Sequence, residues 1–131
     1  MSMSGQPSEL HGRPVAPCLD PATLEQLMDL DDGGTGLIIE LFGLFREDTP
    51  ERLVKLAASL EAGQAGPASE VAHALKGSAG TMGAGRLREV AQEIEKGTRA
   101  GRVDPPIAAL MPSVSEAYAE ACAGLEAFIQ G

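Results

Sequence analysis

Residues 66–101 read GPASEVAHALKGSAGTMGAGRLREVAQEIEKGTRAG. Pro67 suits a first helical turn, where its missing N–H costs nothing. At 100° per residue, Val71, Leu75, Ala79 and Met82 then fall on one side, with Ala72 and Ser78 flanking them. Gly83-Ala84-Gly85 reads as a tight exit. Beyond it, Leu87, Val90, Ala91 and Ile94 return at helical spacing with a charged opposite face. Two amphipathic helices joined by so few residues must be antiparallel neighbours.

The same pattern extends outward in both directions. Asp20-Pro21 marks the start of a short helix carrying Leu24, Leu27 and Met28, and DDGGTG (31–36) ends it. Residues 37–63 hold one apolar face through Leu37, Leu41, Leu44, Phe45, Leu53, Leu56 and Leu60. Pro50 in their middle predicts either one kinked helix or two in succession, and Gly63 closes the segment. Asp104-Pro105 opens a last helix to residue 131, bent early by Pro112, with Ile107, Leu110, Met111, Val114, Ala117, Ala121, Leu125 and Phe128 down one side. The expectation is all-α: an up-down-up-down antiparallel four-helix bundle over residues 19–131, with an additional short N-terminal helix. Residues 1–18 are polar, aperiodic and rich in Gly, Pro and Ser, and are expected to form a disordered tail that includes His11.

Composition narrows the function. Aromatics make up only 3% of 131 residues, so the core must come from Leu, Ile, Val, Ala and Met. A net charge of −9 argues against nucleic acid and against anionic membrane surfaces. No apolar run approaches the ~20 residues of a membrane span, and the N-terminus lacks the apolar segment of a secretion signal. Cys18 and Cys122, far apart in sequence, suit a reducing cytoplasm and are read as structural or incidental. No CxxC or HxxxH spacing suggests a metal, and Glu70, at i−3 from His73, is too small a ligand set for a metal enzyme. DDGGTG lacks the lysine of a nucleotide-binding loop, and no strand precedes GSAGTMGAG, so neither an ATP site nor a dinucleotide site is expected.

One histidine stands out. On the helix through residues 70–82, His73, Lys76, Gly77 and Gly80 share the face opposite the apolar stripe. Each interior glycine weakens a helix by roughly 0.5–1 kcal/mol relative to alanine. Neutral imidazole is a nucleophile near pH 7 and can accept a phosphoryl group, whose oxygens a nearby ammonium stabilises. Bare glycines on that face let another protein's backbone come close. The same spacing also fits an idle surface histidine with glycines that only ease helix packing.

AHALKGSAGTMGAGRL (72–87) closely resembles the signature of histidine-containing phosphotransfer (HPt) domains of two-component phosphorelays. The matching positions are His73, Leu75, Lys76, Gly77, Ser78, Ala79, Gly83, Ala84 and Leu87. LFREDTPERL, in the helix before, also looks like this family; the looser resemblance covers residues 20–130. The resemblance implies a four-helix bundle with His73 exposed midway along one helix and phosphorylated on Nε2. Lys76 would hold the phosphoryl group, Gly77 would leave room for the partner, with Gly80 on the same face, and Ser78 would support the site by hydrogen bonding. The following helix carries Glu95 where such domains often have glutamine, and Arg99 one turn on as a phosphate contact. The chemistry implied is reversible transfer to or from an aspartate of a response-regulator receiver domain. That domain brings the Mg²⁺, and this chain is a phosphocarrier with no cofactor of its own. A sensor histidine kinase, hybrid or not, is the other partner, and a cytoplasmic monomer is the expected state. Two rivals are a helical interaction module that binds a receiver or kinase without transfer, and a purely structural bundle.

Overall fold

A computed structural model describes residues 9, 10 and 13–131. The helices are α1 (Pro21–Asp29), α2 (Gly36–Glu61), α3 (Ala65–Met82), α4 (Gly85–Arg99), α5 (Pro105–Ala108) and α6 (Met111–Gln130). Two two-residue strands, Glu9–Leu10 and Arg13–Pro14, pair antiparallel before them. The chain is a helical bundle: α3 packs between α2 and α4, and α6 closes the ring against both. His73 lies opposite Glu95, and Gly80 opposite Arg88, so α3 and α4 run antiparallel. Their close approach rests on small residues, since Ala68, Ala72, Ala79, Ala84 and Ala91 are all fully buried. Larger side chains fill the centre, among them Leu24, Ile38, Leu56, Leu75, Leu87, Ile94, Leu125 and Phe128. Each stabilises the fold by about 1.5–3 kcal/mol through burial alone.

The helix signals act as expected at several ends. Asp20 Oδ1 accepts from the Ala22 N–H at 3.1 Å and Oδ2 from the Thr23 hydroxyl at 3.0 Å, which caps α1. Gly63 and Gly83 both take left-handed backbone, φ +70° and +72°, just past α2 and α3. Gly83 also fastens α1, its carbonyl accepting from the Asp20 N–H at 2.7 Å. The α2 helix runs unbroken through Pro50, so of the two expected arrangements the single helix is found.

Three expectations need correction. The last helix is two: α5 is a single turn, and α6 begins at Met111 with Pro112 in its first turn. Proline fits that position because the first N–H groups of a helix have no partner in it anyway. Two apolar faces are turned: Val71 is half-buried, with Ala68 and Ala72 in the place expected for it in the α3 core stripe, and in the first half of α2 Leu44 is exposed and Leu37 and Leu41 only half-buried, while Ile38 and Phe42 enter the core. The third concerns the tail: residues 13–18 pack on the bundle. The Arg13 guanidinium caps the end of α6, donating to the carbonyls of Phe128 and, at 3.2 Å, Ile129, and lies 5.4 Å from the Phe128 ring centre. Val15 is buried, and Ala16 and Leu19 cover Gly124, whose absent side chain makes room for them. Polar composition hid this because a few well-placed contacts order the segment. His11 lies outside the described residues. No described helix is long and apolar enough to cross a membrane.

Gly97 has a packing reason. A Cβ there would stand 2.3 Å from Cδ1 and 3.1 Å from Cγ1 of Ile107, the buried residue of α5. Gly97→Val is therefore expected to destabilise the fold by about 1–3 kcal/mol, as overpacking does. Ile107→Ala in the same chain should recover part of that loss. Urea denaturation checks both, and no loss in the single variant would mean that α5 is free to move away.

Candidate functional site

The α3 backbone turns His73 outward, and its side chain is 66% exposed. Glu95 faces it from α4 with only 3% of its side chain exposed. Burying a carboxylate is costly unless it is paired and hydrogen-bonded, and Glu95 is paired three times over. Oε1 is 2.7 Å from the Lys76 ammonium, Oε2 is 2.8 Å from His73 Nδ1, and the Arg99 guanidinium also reaches Oε2 from one turn along α4. The Lys76 hydrogen bond above all, with His73 and Arg99 adding to it, holds the Glu95 carboxyl below its usual range despite burial. An ionised carboxylate only accepts hydrogen bonds. His73 Nδ1 therefore carries the hydrogen and donates it, and in the neutral ring the lone pair sits on Nε2, at the exposed edge.

The sequence-predicted residues divide. His73, Lys76, Glu95 and Arg99 converge on one point. Arg99 spends its contact on Glu95 and remains 68% exposed. The acid beside His73 is Glu95, brought from the next helix, and not the sequence neighbour Glu70. Gly77 is exposed with nothing within 4 Å of where a Cβ would sit. Gly80 is half-buried beneath the Arg88 side chain. Ser78 points to α2, where its Oγ accepts from Arg52 at 3.0 Å; its hydrogen bond braces α3 against α2 and does not reach the histidine.

A groove of about 420 Å³ runs beside this cluster, lined by Lys76, Gln92, Glu95, Lys96, Arg99 and Ala100. Sequence reasoning missed Gln92 and Lys96. Their signal was the i, i+4 spacing Gln92–Lys96 on the polar face of α4, Gln92 one turn before Glu95 and Lys96 directly after it. Two cations, Lys76 and Arg99, around one carboxylate leave a local positive excess in a chain of net charge −9. The arrangement offers an outward imidazole nitrogen, a buried partner for the proton on the other nitrogen, and ammonium and guanidinium groups for anionic oxygens. The cysteines take no part: burial pushes both the Cys18 and the Cys122 thiol up, away from thiolate chemistry.

The Hpt domain family matches residues 40–127 of this chain, which contain every residue of the cluster. Among solved structures, the chain resembles histidine-containing phosphotransfer protein B (HptB) from Pseudomonas aeruginosa PAO1. The two are 30% identical with a TM-score of 0.77, over 88% of this chain and 96% of that one. No curated protein sequence matches.

Proposed function

Because the chain belongs to the Hpt domain family, we propose that it is a phosphorelay carrier, accepting a phosphoryl group on Nε2 of His73 and exchanging it with an aspartate of a receiver domain. The observation that carries this reading is the 2.8 Å hydrogen bond from Nδ1 to a buried carboxylate. It holds the ring so that the lone pair faces outward. In the forward step that lone pair forms the N–P bond while the bond from phosphorus to the donor oxygen breaks, in line and loosely. The ring gains positive charge, and the Glu95 carboxylate opposes it from the Nδ1 side. The Nδ1 proton stays where it is throughout. The return step reverses this as an aspartate oxygen attacks phosphorus and Nε2 leaves with its electron pair. Lys76 and Arg99 balance charge on the phosphoryl oxygens, and the receiver supplies Mg²⁺. Gly77 leaves the approach to His73 clear. A cytoplasmic monomer that also meets a sensor histidine kinase completes the reading.

Phosphorus NMR of the full chain treated with phosphoramidate tests it. A phosphohistidine resonance should appear, and should drain when a receiver domain and Mg²⁺ are added. A folded sample with no resonance would leave a module that binds its partner without transfer.

A further inference from the structure

Helical glycines in this chain fall into two groups. Gly97 and Gly124 are required by packing: a Cβ on either would press on Ile107 or on Ala16 and Leu19. Gly77 and Gly80 are not, and neither are Gly43 in α2 and Gly66 in α3, where a Cβ would meet open space. At Gly77 a Cβ would meet open space, and at Gly80 it would only touch the Arg88 side chain at 3.4 Å, an ordinary contact. Alanine fits at both positions and favours helix. Nothing inside the fold therefore accounts for the glycine at position 80. The Arg88 side chain lies across it, against the α3 backbone.

Acidic residues outnumber basic ones 19 to 10, yet Arg88, like Lys55 and Lys96, has neither an ion-pair nor a side-chain hydrogen-bond partner among the described residues. Its helix neighbours at i±3 and i±4 are Ala84, Gly85, Ala91 and Gln92, none of them acidic. Across a groove of about 370 Å³ stands Asp20, whose two oxygens are engaged by Ala22 and Thr23 in capping α1. Arg86, two residues earlier, is by contrast held by Glu116 and Glu120 of α6. Arg88 is thus an exposed guanidinium, available on its outer side, seated on α3 seven residues from His73 and on the same face. At 1.5 Å per residue that is about 10 Å along the helix.

The geometry points to Arg88, laid across Gly80, as a docking cation that takes a carboxylate from the surface of the receiver domain and sets its register over His73. This rests on the carrier reading above. A guanidinium pairs with carboxylates through two parallel hydrogen bonds and so orients as well as attracts. A cation at the rim of a contact acts mainly on the encounter rate and its salt dependence. The partner surface facing α3 and the start of α1 is accordingly acidic.

The test uses the full chain labelled with phosphoramidate and then mixed with Mg²⁺ and a receiver domain that accepts phosphate from the wild type. Arg88→Glu should label at the wild-type rate but transfer about ten-fold more slowly at low salt, the gap closing as salt is raised. Gly80→Ala, whose Cβ leaves the Arg88 side chain in place, should raise the melting temperature and transfer at close to the wild-type rate. Transfer by Arg88→Glu at the wild-type rate at low salt would overturn the assignment, as would equal losses in labelling and transfer. If the wild type itself fails to label, the carrier reading is at fault and this inference falls with it.

Discussion

Substituting His73 by glutamine is expected to abolish phosphohistidine formation while leaving the fold unchanged. The side chain is 66% exposed and makes one hydrogen bond, to Glu95, which a glutamine amide N–H can also offer. Such a surface change typically moves stability by no more than about 0.5 kcal/mol. Glutamine has no nucleophilic nitrogen, so nothing at that position can bond phosphorus. The other histidine, His11, lies outside the described residues and serves as the internal control. A phosphorus resonance that survives in His73→Gln would assign the chemistry to His11 and remove His73 from its role. Circular dichroism on the same sample separates loss of chemistry from loss of fold.

The second large effect is expected at Glu95, where two substitutions separate two roles. Glu95→Leu removes the acceptor for Nδ1–H and strands Lys76, which is only 26% exposed, without its counter-ion. The ring then loses its fixed tautomer, and labelling by phosphoramidate should slow by about 10–100-fold, the scale seen when a partner that orients a functional histidine is lost. Glu95→Gln keeps an acceptor oxygen for Nδ1–H but loses the charge. Labelling should stay within a few-fold of wild type, while Lys76 and Arg99, released from the carboxylate, are left for the phosphoryl oxygens. The phosphohistidine should then last longer. Equal rates for Glu95→Leu and wild type would show that the hydrogen bond does not orient the ring.

The same pair of proteins reports on pH. The folded-state pKa of Glu95 lies below the ordinary carboxylate value, so its contribution to stability is fully present above about pH 4.3. It is lost as pH falls from there through the folded pKa. Wild type should therefore lose more stability than Glu95→Gln between pH 5 and pH 3. Urea midpoints across that range measure it, and parallel curves below pH 5 would mean that Lys76, His73 and Arg99 do not stabilise the ionised form.

Much of this was legible in the residues. Helix positions followed from apolar spacing and from Asp20, Gly63 and Gly83, because caps and left-handed ends depend on local backbone chemistry. The outward turn of His73 followed from the 3.6-residue period. The resemblance to the phosphotransfer signature at 72–87 agrees with the family match over 40–127. The ordering of residues 13–18 was not legible, since it depends on carbonyls at the end of α6, more than a hundred residues away. The split between α5 and α6 was hidden for a related reason. Apolar spacing continues across residues 109–110, but α5 is seated by Ile107 against the bare backbone of Gly97.

By itself, then, the sequence determined where most of the helical segments lie and that one histidine stands outside the core beside a lysine and two glycines. Those features depend on neighbours within a turn or two. It did not determine the buried face of the first half of α2, where Ile38 and Phe42 and not Leu37, Leu41 and Leu44 enter the core. Only the tertiary structure decided what Glu95 does. A carboxylate near a phosphate site reads from sequence as repulsive. Opposite His73 in the antiparallel α3–α4 pair, it lies within 2.8 Å of Nδ1 and 2.7 Å of Lys76. That register turns a charge of the wrong sign into the group that orients the imidazole. It likewise sets Arg88 over Gly80 and sends Ser78 to Arg52, because packing between helices, not spacing within one, decides which side chains meet.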